Sequence, residues 1–225
     1  MTSDNSTLRR WIGRGALHMG ALAVPLVLAV GCSEPEPLAM ANLVREGGAY
    51  LHAVTREPYS GPVFTTYGDQ PGSIARRASL RNGQYDGPFE LFFENRNLSL
   101  RETYRQGQRD GPYEWYFESG ALYERGTYHD GLREGPYEAY FENGRIHEKG
   151  AYRYGDFHGP REWYLMGRLI ERVTYVDGQL DGPYARYGPE GTVELSGTLR
   201  FGNPCGAWTE GSKRVLYPAC GYESD

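Results

Sequence analysis

Gly111-Pro112-Tyr113-Glu114-Trp115-Tyr116-Phe117-Glu118-Ser119-Gly120-Ala121-Leu122-Tyr123-Glu124-Arg125-Gly126-Thr127-Tyr128-His129-Asp130-Gly131 carries two turn signals, Ser119-Gly120 and Asp130-Gly131, with aromatic-rich runs beside them. Tyr, Trp, Phe, Leu and Thr suit a pleated, half-buried surface. A dipeptide ending in Gly favours a two-residue type I′ hairpin, because Gly takes positive φ without a Cβ clash. Gly and Pro fall too often here for three clean helical turns. Working outward, Gly-Pro recurs at Gly61, Gly87, Gly111, Gly135, Gly159 and Gly182, with Gly206-Ala207 as a degenerate copy. The intervals are 26, 24, 24, 24, 23 and 24 residues. Gly83, Gly107, Gly131, Gly155, Gly178 and Gly202 each stand four residues before a later copy. Such a period predicts an all-β chain: an elongated, twisted, single antiparallel meander sheet of about six to seven hairpin repeats.

A two-residue loop at Ser119-Gly120 places Phe117 opposite Leu122, Tyr116 opposite Tyr123 and Glu114 opposite Arg125. The same arithmetic pairs Phe141 with Ile146 and Glu138 with Lys149, and, around Asn95-Arg96, Phe93 with Leu98 and Glu90 with Arg101. Glu162 aligns with Arg172, and in the following unit both charges vanish together as Ala185 and Ser196. Opposite charges kept or lost as a pair are what cross-strand neighbours show. Alternation assigns Tyr113, Trp115, Phe117, Leu122 and Tyr128 to a packed face, where Gly126 leaves room for aromatic rings. Glu114, Tyr116, Tyr123 and Arg125 fall on the other face. There Phe92, Tyr116, Tyr140, Tyr164 and Tyr187 form a ladder at unit spacing.

The 225 residues carry a formal net charge of −5, with Lys only at Lys149 and Lys213. An acidic chain lacks the electrostatic footprint of a nucleic-acid binder. Residues 1–31 read as an export signal: Arg9, Arg10 and Arg14 precede an apolar run from Ala16 to Gly31. The end of that run, Leu26-Val27-Leu28-Ala29-Val30-Gly31-Cys32, resembles a bacterial lipobox. The resemblance implies lipid attachment at the Cys32 thiol, cleavage after Gly31 and a membrane-anchored, exported lipoprotein. Ser33 in place of an aspartate then favours the outer membrane over the inner. An uncleaved helix over Ile12–Gly31 is the alternative, opposed by Pro25 and the polar Ser33-Glu34-Pro35-Glu36-Pro37. The expected organisation is a signal at 1–31, a lipid-anchored linker at 32–44, the array at 45–205 and a degenerate capping repeat at 206–225.

The pattern Gly-Pro-Tyr-Glu-x-Tyr-Phe-Glu-x-Gly, continued by Gly-x-Tyr-x-x-Gly, resembles the MORN repeat in its bacterial, antitoxin-type variant. Arg45-Glu46-Gly47-Gly48-Ala49-Tyr50 resembles the entry to a first unit. The resemblance implies a β-hairpin array of the kind that serves as a scaffold, lipid binder or antitoxin. The chain is thus expected to be a non-catalytic binding or scaffold module at the cell envelope, with an envelope protein as partner and no cofactor. Two alternatives stand beside it: a glycan-binding or carbohydrate-active protein, suggested by the Tyr, Trp and Glu content, and an immunity protein against an exported toxin. His18, His52, His129, His147 and His158 show no metal-ligand spacing, and no phosphate loop or nucleophile motif occurs. Glu94, Glu118 and Glu142 would recur about 10 Å apart, which is loose for paired glycosidase carboxylates. With Cys32 taken by lipid, Cys205 and Cys220 remain for a disulfide in an exported body. The expected contact face carries Tyr116, Tyr140 and Tyr164 with Glu114 and Arg125.

Overall fold

The computed structural model describes residues 35–68 and 72–221. The signal segment and Cys32 lie outside the described residues. From Gly61–Thr66 to Lys213–Leu216 the chain runs back and forth, each pass hydrogen-bonded to the next. The two-residue segments Gln108–Arg109, Leu132–Arg133, Asp156–Phe157 and Gln179–Leu180 pair with the same preceding strand as the longer segment that follows each. Together with Leu38–Ala39, which joins the Gly61–Thr66 edge in parallel, these make one open sheet of 19 strand segments. It is an all-β meander of repeated hairpins. Residues 38–44, expected as linker, lie against its first edge, and Leu43–Glu46 pairs with Ala49–His52 as a small separate hairpin.

One row of turns follows the sequence reading. Asn82-Gly83, Gln106-Gly107, Asp130-Gly131, Tyr154-Gly155, Asp177-Gly178 and Phe201-Gly202 all have both residues at positive φ. That is the type I′ geometry, whose twist matches the flanking strands. The opposite row differs. Phe117 accepts from the Gly120 N–H and donates to the Ala121 carbonyl, so three residues, Glu118 to Gly120, form the loop. Gly120 takes the left-handed position at φ 90°, the arrangement of a type I turn closed by a bulge. Phe93–Asn97, Phe141–Arg145 and Gly188–Thr192 close in the same way. The 23-residue interval arises where this loop shortens to Met166-Gly167, at φ 52° and 80°.

The longer loop shifts the register by one residue, and a β-bulge restores it. Tyr116 pairs with Leu122, then Trp115 with Glu124 and Glu114 with Arg125, leaving Tyr123 as the extra residue. The expected Phe117–Leu122 and Tyr116–Tyr123 pairs are therefore replaced, whereas Glu114–Arg125 stands. The same correction applies to Phe93–Leu98 and Phe141–Ile146, since Phe92 pairs with Leu98 and Tyr140 with Ile146. The bulge also exchanges two face assignments. Leu122 joins Tyr116, while the Tyr123 ring stacks on Trp115 at 6.4 Å and meets Phe117 edge-on at 5.1 Å.

The packed face is aromatic but not purely apolar. Tyr113 is 1% exposed and packs on buried Tyr128, and Phe89 and Tyr137 are buried in other units. Glu102, Glu124 and Glu148 are buried on this face too. Glu124 accepts the Tyr113 hydroxyl at 2.7 Å and forms an ion pair with Arg133 at 3.0 Å. Glu148 accepts Tyr137 and, at 2.6 Å, Arg161. The Arg133 guanidinium lies 5.1–5.3 Å from the Tyr113, Trp115 and Tyr152 ring centres, and Arg161 lies 4.0 Å from Phe157. Paired carboxylates, hydroxyls and guanidinium groups satisfy one another, which is what permits their burial.

Both ends of the sheet are finished differently from its middle. At the first, Leu43, Val63, Ala78, Leu80 and Phe89 form a core covered by Met40, Tyr50 and Tyr59. At the last, Lys213–Leu216 pairs with Asn203–Glu210, and Cys205 is bonded to Cys220 with Cα atoms 4.9 Å apart.

Candidate functional site

The face opposite the buried aromatics carries a stripe of alternating charge, one residue per strand. Its members are Arg77, Glu90, Arg101, Glu114, Arg125, Glu138, Lys149, Glu162 and Arg172, each directly opposite the next across the backbone ladder. The side chains continue the pattern. Arg101 approaches Glu90 at 3.2 Å and Glu114 at 3.5 Å. Arg125 reaches forward to Glu138 at 2.8 Å, Lys149 to Glu162 at 3.0 Å, and Arg172 Nε donates to Glu162 at 2.7 Å. The stripe ends where Arg172 meets Ala185, then Ser196 and Thr209.

Tyr116, Tyr140 and Tyr164 stand on this face beside the stripe. Each hydroxyl donates to the glutamate two residues earlier, at 2.6, 2.6 and 2.5 Å. The spacing Glu-x-Tyr places both side chains on one side of a strand, so the pair is local and repeats with the unit. The neighbouring cation lies over the ring: Arg125 at 5.8 Å from the centre of Tyr140, and Lys149 at 5.4 Å from that of Tyr164. Partial burial and the adjacent carboxylate push the phenols of Tyr116 and Tyr140 up to about 12. Hydrogen bonds from Tyr140 and Arg125 hold the Glu138 carboxyl below its ordinary value. At Glu162, burial opposes ionisation, but Tyr164, Lys149 and Arg172 together outweigh it and lower the carboxyl.

A shallow groove of about 730 Å³ follows the middle of this face. Pro112, Pro136 and Pro160 border it, the charges from Glu114 to Glu162 line it, and Gly126 and Gly150 lie within it. A smaller hollow of about 370 Å³ continues at Phe64, Arg77 and Glu90, with Pro37 in its wall. Fixed, alternating hydrogen-bonding groups along a bordered surface can hold an extended polar ligand.

The structure thus brings Tyr116, Tyr140, Tyr164, Glu114 and Arg125 onto one face in repeating order. Glu94, Glu118 and Glu142 are exposed as the first residues of three-residue loops. The buried glutamates were not singled out in the sequence. Glu124 has the same parity as Gly126 and Tyr128, and extending the alternation by one step places it among the rings. The chain matches no protein-family model, and no curated protein is significantly similar to it. Among the described residues, no helix is long and apolar enough to cross a membrane.

Proposed function

We propose that the protein is a non-catalytic binding module of the MORN-repeat type, exported, anchored through lipid on Cys32, and specialised to hold an extended segment of an envelope protein. The observation that supports this most is the continuity of the charge stripe. Nine charged residues in strict alternation, with three tyrosines tied to them, give a surface whose chemistry repeats every two strands, about 10 Å apart. An extended polypeptide presents polar groups and side chains in regular succession, and rigid aromatic rings with polar tips favour such contacts. The site is built for length and repetition rather than for one reacting atom.

Crosslinking on intact cells, followed by purification of the protein with its partner, tests the reading. Replacing Tyr116, Tyr140 and Tyr164 together by Ala is expected to abolish capture of the same crosslinked protein while the chain stays folded. Capture at the wild-type level by the folded triple variant would refute this face as the contact surface. Turnover of a cell-wall polysaccharide would refute the non-catalytic reading. For the anchor, mass spectrometry of the mature N-terminus is expected to find a lipidated Cys32, and Cys32→Ala to leave the precursor uncleaved.

A further inference from the structure

The spacing of the histidines predicts no ligand set, yet the fold brings Asp110, His129 and Asp130 together at the edge carrying the type I′ turns. One ligand atom of each lies within 4.8 Å of the others. Asp110 sits between the strand segments Gln108–Arg109 and Gly111–Tyr116, and His129 ends the strand Leu122–His129. Asp130 is the first residue of the following turn. Two successive repeats therefore contribute to one cluster.

The repeat supplies its own control. The residue before each Gly-Pro normally receives a hydrogen bond from the turn of the next unit. Ser60 accepts the Asn82 N–H at 2.8 Å, Asp86 the Gln106 N–H at 3.2 Å, Glu134 the Tyr154 N–H at 2.7 Å, and His158 the Asp177 N–H at 3.5 Å. Asp110 departs from this pattern. Its Oδ1 accepts Arg105 at 2.8 Å, but its Oδ2 is buried with no hydrogen-bond partner, on a side chain only 9% exposed. A buried, unsatisfied carboxylate oxygen is costly and demands a partner. That oxygen faces His129 Nδ1 at 3.7 Å, while His129 Nε2 lies 3.6 Å from Asp130 Oδ2.

We infer that Asp110, His129 and Asp130 form a binding site for a divalent transition-metal ion of the zinc class, which joins two neighbouring repeats. In a tetrahedral site with bonds near 2.0–2.1 Å, ligand atoms stand roughly 3.3–3.4 Å apart. The Asp110–His129 separation needs to close by only a few tenths of an ångström. Asp130 lies on an exposed turn, free to swing its carboxylate to the same ion. Two carboxylates balance a dication, and Arg105 remains on the far oxygen of Asp110. One imidazole with two carboxylates suits zinc better than calcium, which prefers a full oxygen shell. The one remaining position of the tetrahedron opens to water, and the ion clamps two neighbouring repeats together.

The test uses untagged full-length protein stripped with a chelator and titrated calorimetrically with zinc chloride. Wild-type protein is expected to bind one zinc ion at this site and to melt at a higher temperature when loaded. His129→Ala is expected to remove that binding event, and Asp130→Asn to weaken it about tenfold or more. Both positions are exposed, so these variants fold even if Asp110→Asn does not. His147→Ala, on the opposite row, should bind as wild type. Absence of zinc binding by the wild type, or equal affinity in His129→Ala, would overturn the assignment. Calcium binding that survives His129→Ala would show an acidic surface without the imidazole site, and equally overturn it.

Discussion

At single residues, fit against one aromatic ring decides much of the stability. Gly126, Gly150 and Gly197 occupy the same place in their units, and a Cβ on each would meet Tyr113, Tyr137 and Trp208 at 2.7, 2.9 and 2.1 Å respectively. Their φ values lie outside the left-handed region, so the constraint is steric alone. Gly126→Ala is expected to cost about 1–3 kcal/mol, and Gly197→Ala more, read from urea midpoints at unchanged m-value. The sequence placed Gly126 beneath the rings correctly, because alternation needs only parity. It did not reveal that the same face holds charge, since a buried glutamate is recognisable only with its partners. Those partners give a pH dependence. Burial opposes ionisation of Glu148, but hydrogen bonds from Arg161 and Tyr137 outweigh it and set its carboxyl below the ordinary value; Glu138 and Glu162 are also lowered. A lowered folded-state value means stability that is present above the unfolded carboxylate range and is lost as pH falls through the folded value. Urea midpoints should hold from neutrality to about pH 5 and fall steeply below about pH 4.5, less steeply in Glu148→Gln. Tyr116 and Tyr140 act at the other extreme. Their raised values favour the folded state below the ordinary phenol range, a contribution lost as pH rises through about 12.

At the level of the hairpin, the two rows of turns divide the labour. The type I′ row was legible because Asn-Gly and Asp-Gly name their own geometry. The opposite row was not, because Ser119-Gly120 and Asn143-Gly144 carry the same kind of dipeptide inside a loop one residue longer. A compensating bulge hid the difference from the charge pairs, which lie beyond it. Thus the Glu114–Arg125 register came out right from a wrong loop length. Turn chemistry also leaves room for improvement. Tyr154, 77% exposed, and Phe201, 62% exposed, hold φ near 50° at the turn position that Asn82, Asp130 and Asp177 occupy in other units. A side chain in the left-handed region is strained unless it is Gly, Asn or Asp. Tyr154→Asn is expected to stabilise the protein by roughly 0.5–1 kcal/mol, visible as a higher melting temperature.

For the whole molecule, repetition makes the number of units adjustable. Excising residues 111–134 joins Asp110 to Gly135, so Arg101 would face Glu138 in place of Glu114 and the charge alternation would continue. The shortened chain is expected to fold cooperatively with retained β-sheet circular dichroism and a lower melting temperature, because stability in such arrays is nearly a sum over neighbours. Aggregation of that variant would show that the removed unit holds the array together. The ends tolerate less: Cys205→Ser with Cys220→Ser is expected to cost about 2–4 kcal/mol, measured against the wild type under oxidising conditions. Finally, each strand of the meander pairs only with those next to it in sequence, which sets the order of assembly. Closing such contacts requires short chain excursions, and low contact order goes with fast folding for a β protein. A chain delivered N-terminus first can lay each hairpin onto the one before it, with Cys220 arriving after every strand it helps to hold. The cystine then acts as a latch on a finished structure, and an interrupted synthesis leaves a folded, shorter array.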